Sequence, residues 1–413
     1  MIIKRDYYLQ QLISSKSNNL IKIVTGIRRS GKSFLLFNLF HNHLIETGIS
    51  EDHIIEIALD DRLNKNLRDP DVILQHIHER IIDDKLYYII LDEVQMIDEF
   101  TDVLNSLLHI RNADVYVTGS NSKFLSKDVV TEFRGRGDEI HLFPLSFAEL
   151  YDSVGGDKFE LWKSYYTYGG LPGILELDSD KKKAAYLQSL HETVYLKDII
   201  ERNNLKNSEE FMELMRVMAS CIGSPCNPSK LENTFKSVKN ETLDRKTISK
   251  YLSYMEDAFL IEKSMRYDIK GRKYIGTLSK YYFQDIGLRN ALLNFRQVEE
   301  NHIMENVIYN ELRLRGFCVD VGMVEARTAK ERKQLEVDFV ANMADRRYYI
   351  QSAFAMPDDE KREQECASLK RIDDSFKKII IMRDDIKPYH DNNGFYIVGL
   401  IDFLLKPDLM EQL

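Results

Sequence analysis

Eight consecutive residues near the start of the chain, GIRRSGKS from Gly26 to Ser33, have the types and spacing that bind a phosphate chain. A glycine on each side of a short spacer lets the backbone turn sharply and approach closely, so that its N–H groups point at phosphate oxygens. Lys32 is then expected to reach the β- and γ-phosphates, and the Ser33 hydroxyl to ligate Mg²⁺. We therefore predict that ATP or ADP is bound, with Mg²⁺, by Gly26, Ile27, Arg28, Arg29, Ser30, Gly31, Lys32, Ser33 and Phe34.

Two acidic residues end a second apolar run, YYIILDEVQ at residues 87–95. An acid at the end of a buried strand can hold the Mg²⁺ shell, and we assign that part to Asp92. Glu93 is placed to polarise a water molecule for attack on the γ-phosphate. An ordinary acidic pair at a strand end is the alternative, but in a chain that carries the phosphate-binding loop the pair favours hydrolysis.

Polar and basic residues after the next apolar run, VYVTGSNS, could complete such a site. Ser120 or Asn121 could contact the γ-phosphate or the attacking water, and the alternative is a turn built from Gly119 and Asn121. Phosphoryl transfer benefits from a cation on the developing charge, often an arginine from a neighbouring subunit. Arg134 and Arg136 are candidates for that arginine, and a solvated basic loop is the alternative.

Alternating apolar and helical segments must position these residues. Short runs rich in Ile, Val and Tyr alternate with helical stretches over residues 1–150, which predicts a parallel sheet with helices on both faces. We expect a lid-like helical extension over 151–207 and a winged-helix-like segment, with a helix, a turn, a helix and a strand pair, over 208–290. Residues 291–413 begin with a helix and continue with strand-like runs, which predicts a smaller α/β domain.

Composition narrows the class of protein. The 413 residues carry a formal net charge of -9 and are 44% hydrophobic, which is normal for a globular protein and excludes a generally basic nucleic-acid binder. The sequence has no apolar run of membrane-spanning length and no secretory signal, and we expect its four cysteines to be reduced thiols. These features predict a cytoplasmic protein that does not enter a membrane.

One segment departs from the acidic balance of the chain. Between Lys230 and Arg289 there are 13 Lys and Arg against 8 Asp and Glu, a local surplus of five positive charges in a helix-turn-helix-like stretch. Local positive charge is the footprint of phosphate-backbone binding, so we consider DNA a candidate partner through Lys246, Lys250 and Arg272. A protein-binding module, with a partner that the sequence does not identify, or a solvated face is the alternative.

The whole chain resembles the AAA-type P-loop ATPases of bacteria and archaea that carry a C-terminal domain of unknown function. The resemblance covers nearly all of the sequence, and its motifs occur in order. They are TGIRRSGKS (25–33), LDEVQ (91–95), GR before FPLSFAEL (135–150), YGGLPG (168–173), YLKDIIERNN (195–204), KYYFQDIGLRNA (280–291), ENVIYNELRLRG (305–316) and EVDFV (336–340).

The resemblance implies an ATPase core, a helical extension, a winged-helix segment and a C-terminal restriction-endonuclease-like fold. It implies ATP contact at Gly26 through Ser33, Mg²⁺ binding and hydrolysis at Asp92 and Glu93, and a finger-type role for Arg136. It also implies that the protein acts as a homo-oligomer with sites at subunit interfaces.

An endonuclease-like site needs a helix carboxylate, an Asp at a strand start and an E-x-K triplet on the next strand. Glu305 or Glu311 could be the helix carboxylate, and Asp338 fits the strand position. The triplet position reads Gln351-Ser352-Ala353, with neither the acid nor the lysine. We therefore predict the fold without nuclease activity.

Three functions remain as hypotheses. The first is an ATPase that couples hydrolysis to rearrangement of its C-terminal domains, as a switch or motor. The second is an ATP-dependent DNA-binding or DNA-processing protein, and the third is an ATP-binding scaffold with little turnover. Lys32, Asp92 and Glu93 favour turnover over the scaffold.

Overall fold

The computed structural model describes residues 3–119, 135–239, 243–327 and 332–412. The chain divides into two compact units, each with its own sheet. The first unit comprises the chain up to Pro144 together with Asp257–Phe259, and the second comprises Leu145–Glu256 and the residues from Leu260 onward.

The first unit alternates strands and helices along the chain. Its described elements are α1 (Asp6–Ser14), β1 (Ile21–Thr25), α2 (Lys32–Phe34), a π-helical continuation (Leu35–Phe40), α3 (His41–Glu46), β2 (Ile54–Ala58), α4 (Pro70–Arg80), β3 (Tyr87–Asp92), α5 (Phe100–Leu107), β4 (Ala113–Thr118) and β5 (Gly137–His141). Local signals set some of these bounds. Helix α4 begins where the Asp69 side chain accepts from two backbone N–H groups and Pro70 takes the first helical position.

All five strands of the first unit are parallel, in the order β2-β3-β4-β1-β5. Strand β1 therefore lies between β4 and β5, and β3 lies beside β4. Carboxyl ends of parallel strands share one edge of a sheet, where α/β folds place their ligands. This topology brings Gly26 after β1, Asp92 at the end of β3 and Thr118 at the end of β4 to the same edge.

Both faces of this sheet are covered by helices, which confirms the predicted arrangement. Ile89 and Leu91 of β3 pack in one apolar core with side chains of α4 and α5. Tyr88 and Ile90, which alternate with them, pack in another core with side chains of α1 and of the helix that follows the loop. The strands are buried on both faces, as parallel strands generally are.

The second unit is mainly helical at first and then mixed. Its described elements are α6 (Phe147–Val154), α7 (Lys158–Tyr168), α8 (Asp180–Leu190), a π-helical segment (His191–Leu196), α9 (Lys197–Asn203), α10 (Ser208–Ser220), α11 (Pro228–Thr234), α12 (Arg245–Asp257), β6 (Ile261–Asp268), β7 (Lys273–Phe283), α13 (Ile286–Leu292), α14 (Glu300–Leu314), β8 (Cys318–Arg327), β9 (Arg332–Met343), β10 (Arg346–Ala353), α15 (Asp359–Cys366), β11 (Lys377–Met382), β12 (Tyr389–His390), β13 (Tyr396–Gly399) and α16 (Leu400–Leu405).

The sheet of the second unit has eight strands in the order β12-β13-β11-β10-β9-β8-β6-β7. The β6–β7 hairpin joins the later strands because β6 runs parallel to β8, with Tyr267 opposite Gly322. The predicted winged-helix-like segment (208–290) and the predicted C-terminal domain (291–413) therefore contribute strands to one sheet. Helix α14 packs on one face of that sheet, where Ile303, Val307 and Ile308 enter its larger core.

None of the described helices is long and apolar enough to cross a lipid bilayer.

Candidate functional site

The loop between β1 and α2 has the backbone of a phosphate-binding turn. Gly26 has a φ of 134°, and a Cβ atom there would come within 2.2 Å of the Leu142 carbonyl oxygen, so only glycine fits. Arg29 and Gly31 also have left-handed backbone, with φ of 66° and 99°. This run of turns folds the chain back on itself directly before α2, a geometry that gathers backbone N–H groups.

Lys32 lies inside the loop rather than in solvent. Its side chain is buried, and Nζ donates to the carbonyl oxygens of Gly26 at 2.9 Å and Ile27 at 3.0 Å. Ile27 and Ser30 are buried as well, whereas Arg29 and Phe34 are exposed. The ammonium therefore lies at the centre of the turn, where a P-loop lysine meets phosphate oxygens.

Ser33 connects the loop to the end of β3. Its Oγ donates to Asp92 Oδ2 at 2.7 Å, and the other carboxylate oxygen accepts from the Thr118 hydroxyl. The Glu93 N–H donates to the same Thr118 hydroxyl at 2.8 Å. The ends of two strands and the start of α2 are thus joined around one buried carboxylate.

Burial is the main cause of the raised pKa of Asp92, and the neighbouring Glu93 and Asp60 carboxylates raise it further. Hydrogen bonds from Thr118 and Ser33 act in the opposite direction. A nearby cation would stabilise the ionised form of a carboxylate in such surroundings, because opposite charge favours that form. The hydroxyl of Ser33 and the carboxylate of Asp92 are also hard oxygen ligands, so this pair fits Mg²⁺.

Glu93 has an unusual backbone conformation for a residue with a side chain, with φ of 54° and ψ of 47°. Its carboxylate accepts a hydrogen bond from the Gln95 side-chain amide. Left-handed backbone at a residue other than glycine costs free energy and is concentrated at functional sites. Here it turns the chain directly after Asp92, so that the adjacent carboxylate projects from the same edge of the sheet.

Of the remaining predicted residues of this site, the structure describes Arg136. Ser120, Asn121 and Arg134 lie outside the described residues. Arg136 is exposed and precedes β5, and its carbonyl oxygen accepts from the N–H of Ile21, the first residue of β1. It therefore lies at the amino edge of the sheet, opposite the edge that carries Lys32.

Sequence reasoning missed Thr118 and Gln95. Thr118 is the last residue of β4, two residues before Ser120, which with Asn121 was the predicted polar contact. The sequence signal that could have identified Thr118 was its hydroxyl at the end of a strand next to the Asp92 strand. Gln95 is part of the LDEVQ motif, but no sequence signal indicated that its amide would bond to Glu93.

A second charged cluster lies in the second unit. Lys280 of β7 is 2% exposed, and its Nζ lies 2.8 Å from Glu305 Oε1, 2.7 Å from Glu336 Oε1 and 3.9 Å from Asp338 Oδ1. The Tyr282 hydroxyl also donates to Glu305, at 2.7 Å. Of the two candidate helix carboxylates, Glu305 therefore lies beside Asp338.

Glu311 instead forms an ion pair with Arg315, at 2.8 Å. The strand position next to Asp338 is occupied by Ser352, whose N–H donates to Asp338 Oδ2 at 2.8 Å. Gln351 Oε1 is buried without a hydrogen-bond partner among the described residues. The absence of nuclease activity stays a prediction.

Charge and burial act together in this cluster. Burial alone would lower the pKa of Lys280, but Glu305, Asp338 and Glu336 together raise it. Burial, followed by the nearby Glu305 carboxylate, raises the pKa of Asp338 to about 8, although Lys280 opposes the shift. In the described part of the chain, no group of three or more His, Cys, Asp or Glu is arranged to hold a metal ion. The Lys280 ammonium supplies positive charge to these carboxylates.

The residues predicted to contact DNA are exposed. Lys246 and Lys250 lie one turn apart on α12, and Ser249 between them is exposed too. Arg245 at the start of the helix is engaged by Glu232, at 2.7 Å. Arg272 is exposed in the turn between β6 and β7. These positions leave Lys246, Lys250 and Arg272 accessible to a partner.

Comparisons with known proteins place the site in a family. Residues 18–151 match the family model described as an AAA domain, and residues 159–299 match one described as a domain of unknown function (DUF8612). A protein of unassigned function from Haemophilus influenzae is 33% identical over 414 residues, which cover 98% of this chain and 99% of that protein. Another, from Methanocaldococcus jannaschii, is 29% identical over 391 residues, 90% of this chain and 82% of that protein. Among solved structures, a Walker-type ATPase of Pyrococcus abyssi superposes with a TM-score of 0.48 at 17% identity, covering 71% of this chain and 96% of that one.

Proposed function

The chain belongs to the family of AAA-domain P-loop ATPases, with relatives in a bacterium and an archaeon, and from this premise we propose that it hydrolyses ATP and uses the reaction as a switch or motor. The observation that carries the proposal is the 2.7 Å hydrogen bond from Ser33 Oγ to Asp92 Oδ2. It joins the phosphate-binding loop to the acidic end of β3. A loop without that acid would bind phosphate but would lack the groups for hydrolysis.

Each group at the site has a part in the reaction. Backbone N–H groups of the loop and the Lys32 ammonium bind the phosphates, and Ser33 with Asp92 would hold Mg²⁺. When bound, the ion neutralises charge that develops on the phosphates. Glu93, which follows Asp92 at the edge of the sheet, accepts a proton from the attacking water.

The short link between the site and the second unit supports coupling. Strand β5 ends at His141, only a few residues before Leu145, where the second unit begins. Leu142 is bonded to the last residue of β1, because its N–H donates to the Thr25 carbonyl oxygen at 2.8 Å. A change in the loop can therefore act on the segment that enters the second unit.

Steady-state ATP turnover of the parent, Lys32→Ala and Glu93→Gln tests the proposal. We expect Glu93→Gln to bind MgATP with near-parent affinity but to lose about 100-fold or more in kcat, because the glutamine keeps the shape and removes the base. Lys32→Ala should lose both affinity and turnover. The exposed Lys85→Ala, also in the first unit, is the matched control and should behave like the parent.

The outcomes separate the hypotheses. If the parent is no faster than Lys32→Ala, the protein is not an ATPase. If the parent binds MgATP tightly but turns it over no faster than Glu93→Gln, the scaffold hypothesis replaces the switch.

DNA contact is a second candidate function, favoured by one observation. Lys246, Ser249 and Lys250 share an exposed face of α12, and the N-terminus of that helix is capped by Asp244, which accepts from the N–H groups of Lys246 at 2.8 Å and Thr247 at 2.9 Å. A capped helix with exposed lysines and small serines can lie close to a phosphate backbone. In this reading, ATP would control the loading of the protein on DNA.

A further inference from the structure

Arg5, the residue before α1, is buried against the phosphate-binding loop. Its side chain is only 4% exposed, and its guanidinium lies 4.6 Å from the centre of the Tyr8 ring. Nη1 donates to the Ser30 carbonyl oxygen at 3.2 Å, and Nη2 donates to the Phe143 carbonyl oxygen at 2.8 Å. A buried guanidinium is costly unless hydrogen bonds compensate for lost hydration, so its position is strongly specified.

The bond to Ser30 has a consequence for the loop. The Ser30 carbonyl and the Gly31 N–H belong to one planar peptide unit, and in a trans peptide they point in opposite directions. When Arg5 holds the carbonyl, the Gly31 N–H is directed to the other side of that peptide. The left-handed backbone of Arg29 and Gly31 on either side leaves this peptide without the support of regular secondary structure.

The bond to Phe143 connects the loop to the chain after β5. The Phe143 N–H donates to the Tyr8 hydroxyl at 3.2 Å, so residues at the start of α1 contact both polar groups of that peptide segment. Leu142, the preceding residue, packs so closely on Gly26 that no Cβ fits between them. Arg5 therefore ties the apex of the loop to the segment that already packs against its first glycine.

We propose that Arg5 is a positioning residue of the nucleotide site, which fixes the Ser30–Gly31 peptide so that its N–H faces the phosphates. This role rests on the proposed function, since it concerns the same nucleotide. It makes the amino-terminal helix part of the site, although the sequence motifs begin twenty residues later, at Thr25. The peptide contacts the phosphates shared by ATP and ADP, so Arg5 supports the binding of both nucleotides.

The test compares Arg5→Ala, Arg5→Lys and Lys4→Ala in the full chain. Dissociation constants for MgATP and MgADP are measured by titration calorimetry, well below the melting temperature of each variant. For Arg5→Ala we expect both constants to rise about tenfold, equivalent to ~1.4 kcal/mol, with kcat changed much less. Arg5→Lys should lie between it and the parent, because one ammonium replaces a fork of donors. The exposed neighbour Lys4→Ala should match the parent.

A purely structural Arg5 gives a different pattern. Arg5→Ala would then melt at a lower temperature, but the folded protein would bind both nucleotides with the affinity of the parent, which overturns the inference. If Arg5→Ala does not fold, Arg5→Lys with parent affinity overturns it equally. A parent that binds MgATP without hydrolysing it contradicts the proposed ATPase and leaves the affinity test of Arg5 in force. A parent that binds neither nucleotide contradicts both.

Discussion

Lys280 shows how a single side chain decides the chemistry of a buried cluster. Its ammonium is within contact distance of Glu305 and Glu336 and lies 3.9 Å from Asp338, and the lysine side chain is almost fully buried. One positive charge cannot balance three ionised carboxylates, and the raised pKa of Asp338 reduces this imbalance. The raised pKa favours the protonated form of Asp338.

This protonation makes stability depend on pH. The pKa of Asp338 is about 8 in the folded protein and ~3.9 in an unfolded chain. Between these values the folded state holds a proton that the unfolded state has released, so the free energy of unfolding falls as the pH rises from about 4 to 8. Asp338→Asn cannot titrate, and we expect its melting temperature to rise relative to the parent across this range and to stay level above it.

Thermal melts in buffers between pH 4 and 9 measure the difference. The exposed Asp345→Asn, in the turn between β9 and β10, is the control for a change of charge alone. A constant difference between Asp338→Asn and the parent over the whole range would show that Asp338 ionises normally.

At the residue scale, a feature could be predicted when a short stretch of sequence contains all the residues that form it. The spacing of Gly26, Lys32 and Ser33 is a property of one loop, so the sequence alone predicts the turn that the structure contains. The roles of these residues in catalysis stay predictions. The ion pairs of Lys280 were not predicted, because its partners lie on α14 and β9. The surrounding sequence SKYYF does not indicate which other elements β7 approaches. Arg5 was missed for the same reason, since its contacts are to backbone carbonyls that no motif records.

Helix α12 is the element on which DNA contact depends. Its exposed lysines are on the side away from Ile248, Leu252 and Met255, which are buried. We expect duplex DNA to bind with an affinity that falls with salt, and Lys246→Ala/Lys250→Ala to reduce the slope of log K against log salt by about two. Fluorescence anisotropy with labelled duplex, between 50 and 300 mM salt as a rough range, measures that slope.

The control is a charge-matched pair in the same unit. Lys181→Ala/Lys182→Ala removes two exposed lysines from the start of α8 and should leave the slope unchanged. If both double variants change the salt slope equally, the change comes from net charge and not from specific contacts of α12 with DNA. Binding that does not respond to salt would exclude the phosphate contacts altogether.

Element types were easier to predict than element pairing. The alternation of apolar runs and helices in the first unit predicts a parallel sheet, because buried parallel strands lack polar residues. In the second unit, a short strand pair was predicted within FLIEKSMRYD (259–268), but that stretch forms one strand, β6, which pairs with β7 at Lys273–Phe283. The junction of β6 with β8 was not predicted. The parallel pairing between β6 and β8 joins segments separated by β7 and two helices, and local periodicity carries no information about it.

At the scale of the whole molecule, the role predicted for Arg136 would require a second copy of the chain. It lies at the amino edge of the first sheet, whereas Lys32 and Asp92 are reached from the carboxyl edge. A five-residue strand such as β5 is about 17 Å long, so Arg136 does not serve the site of its own chain. A finger-type role therefore predicts an oligomer in which Arg136 reaches the site of a neighbour.

Mixing two inactive variants tests this arrangement. Arg136→Ala and Lys32→Ala should each lose turnover, the first through its neighbour's site and the second through its own. In a random equimolar mixture, about a quarter of the sites combine an intact Lys32 with an intact Arg136 from the next subunit, whatever the number of subunits in a closed ring. We expect turnover to recover to about that fraction of the parent, while dilution below the assembly concentration should abolish it. A mixture as inactive as its components, although light scattering shows mixed oligomers, would exclude Arg136 as the finger.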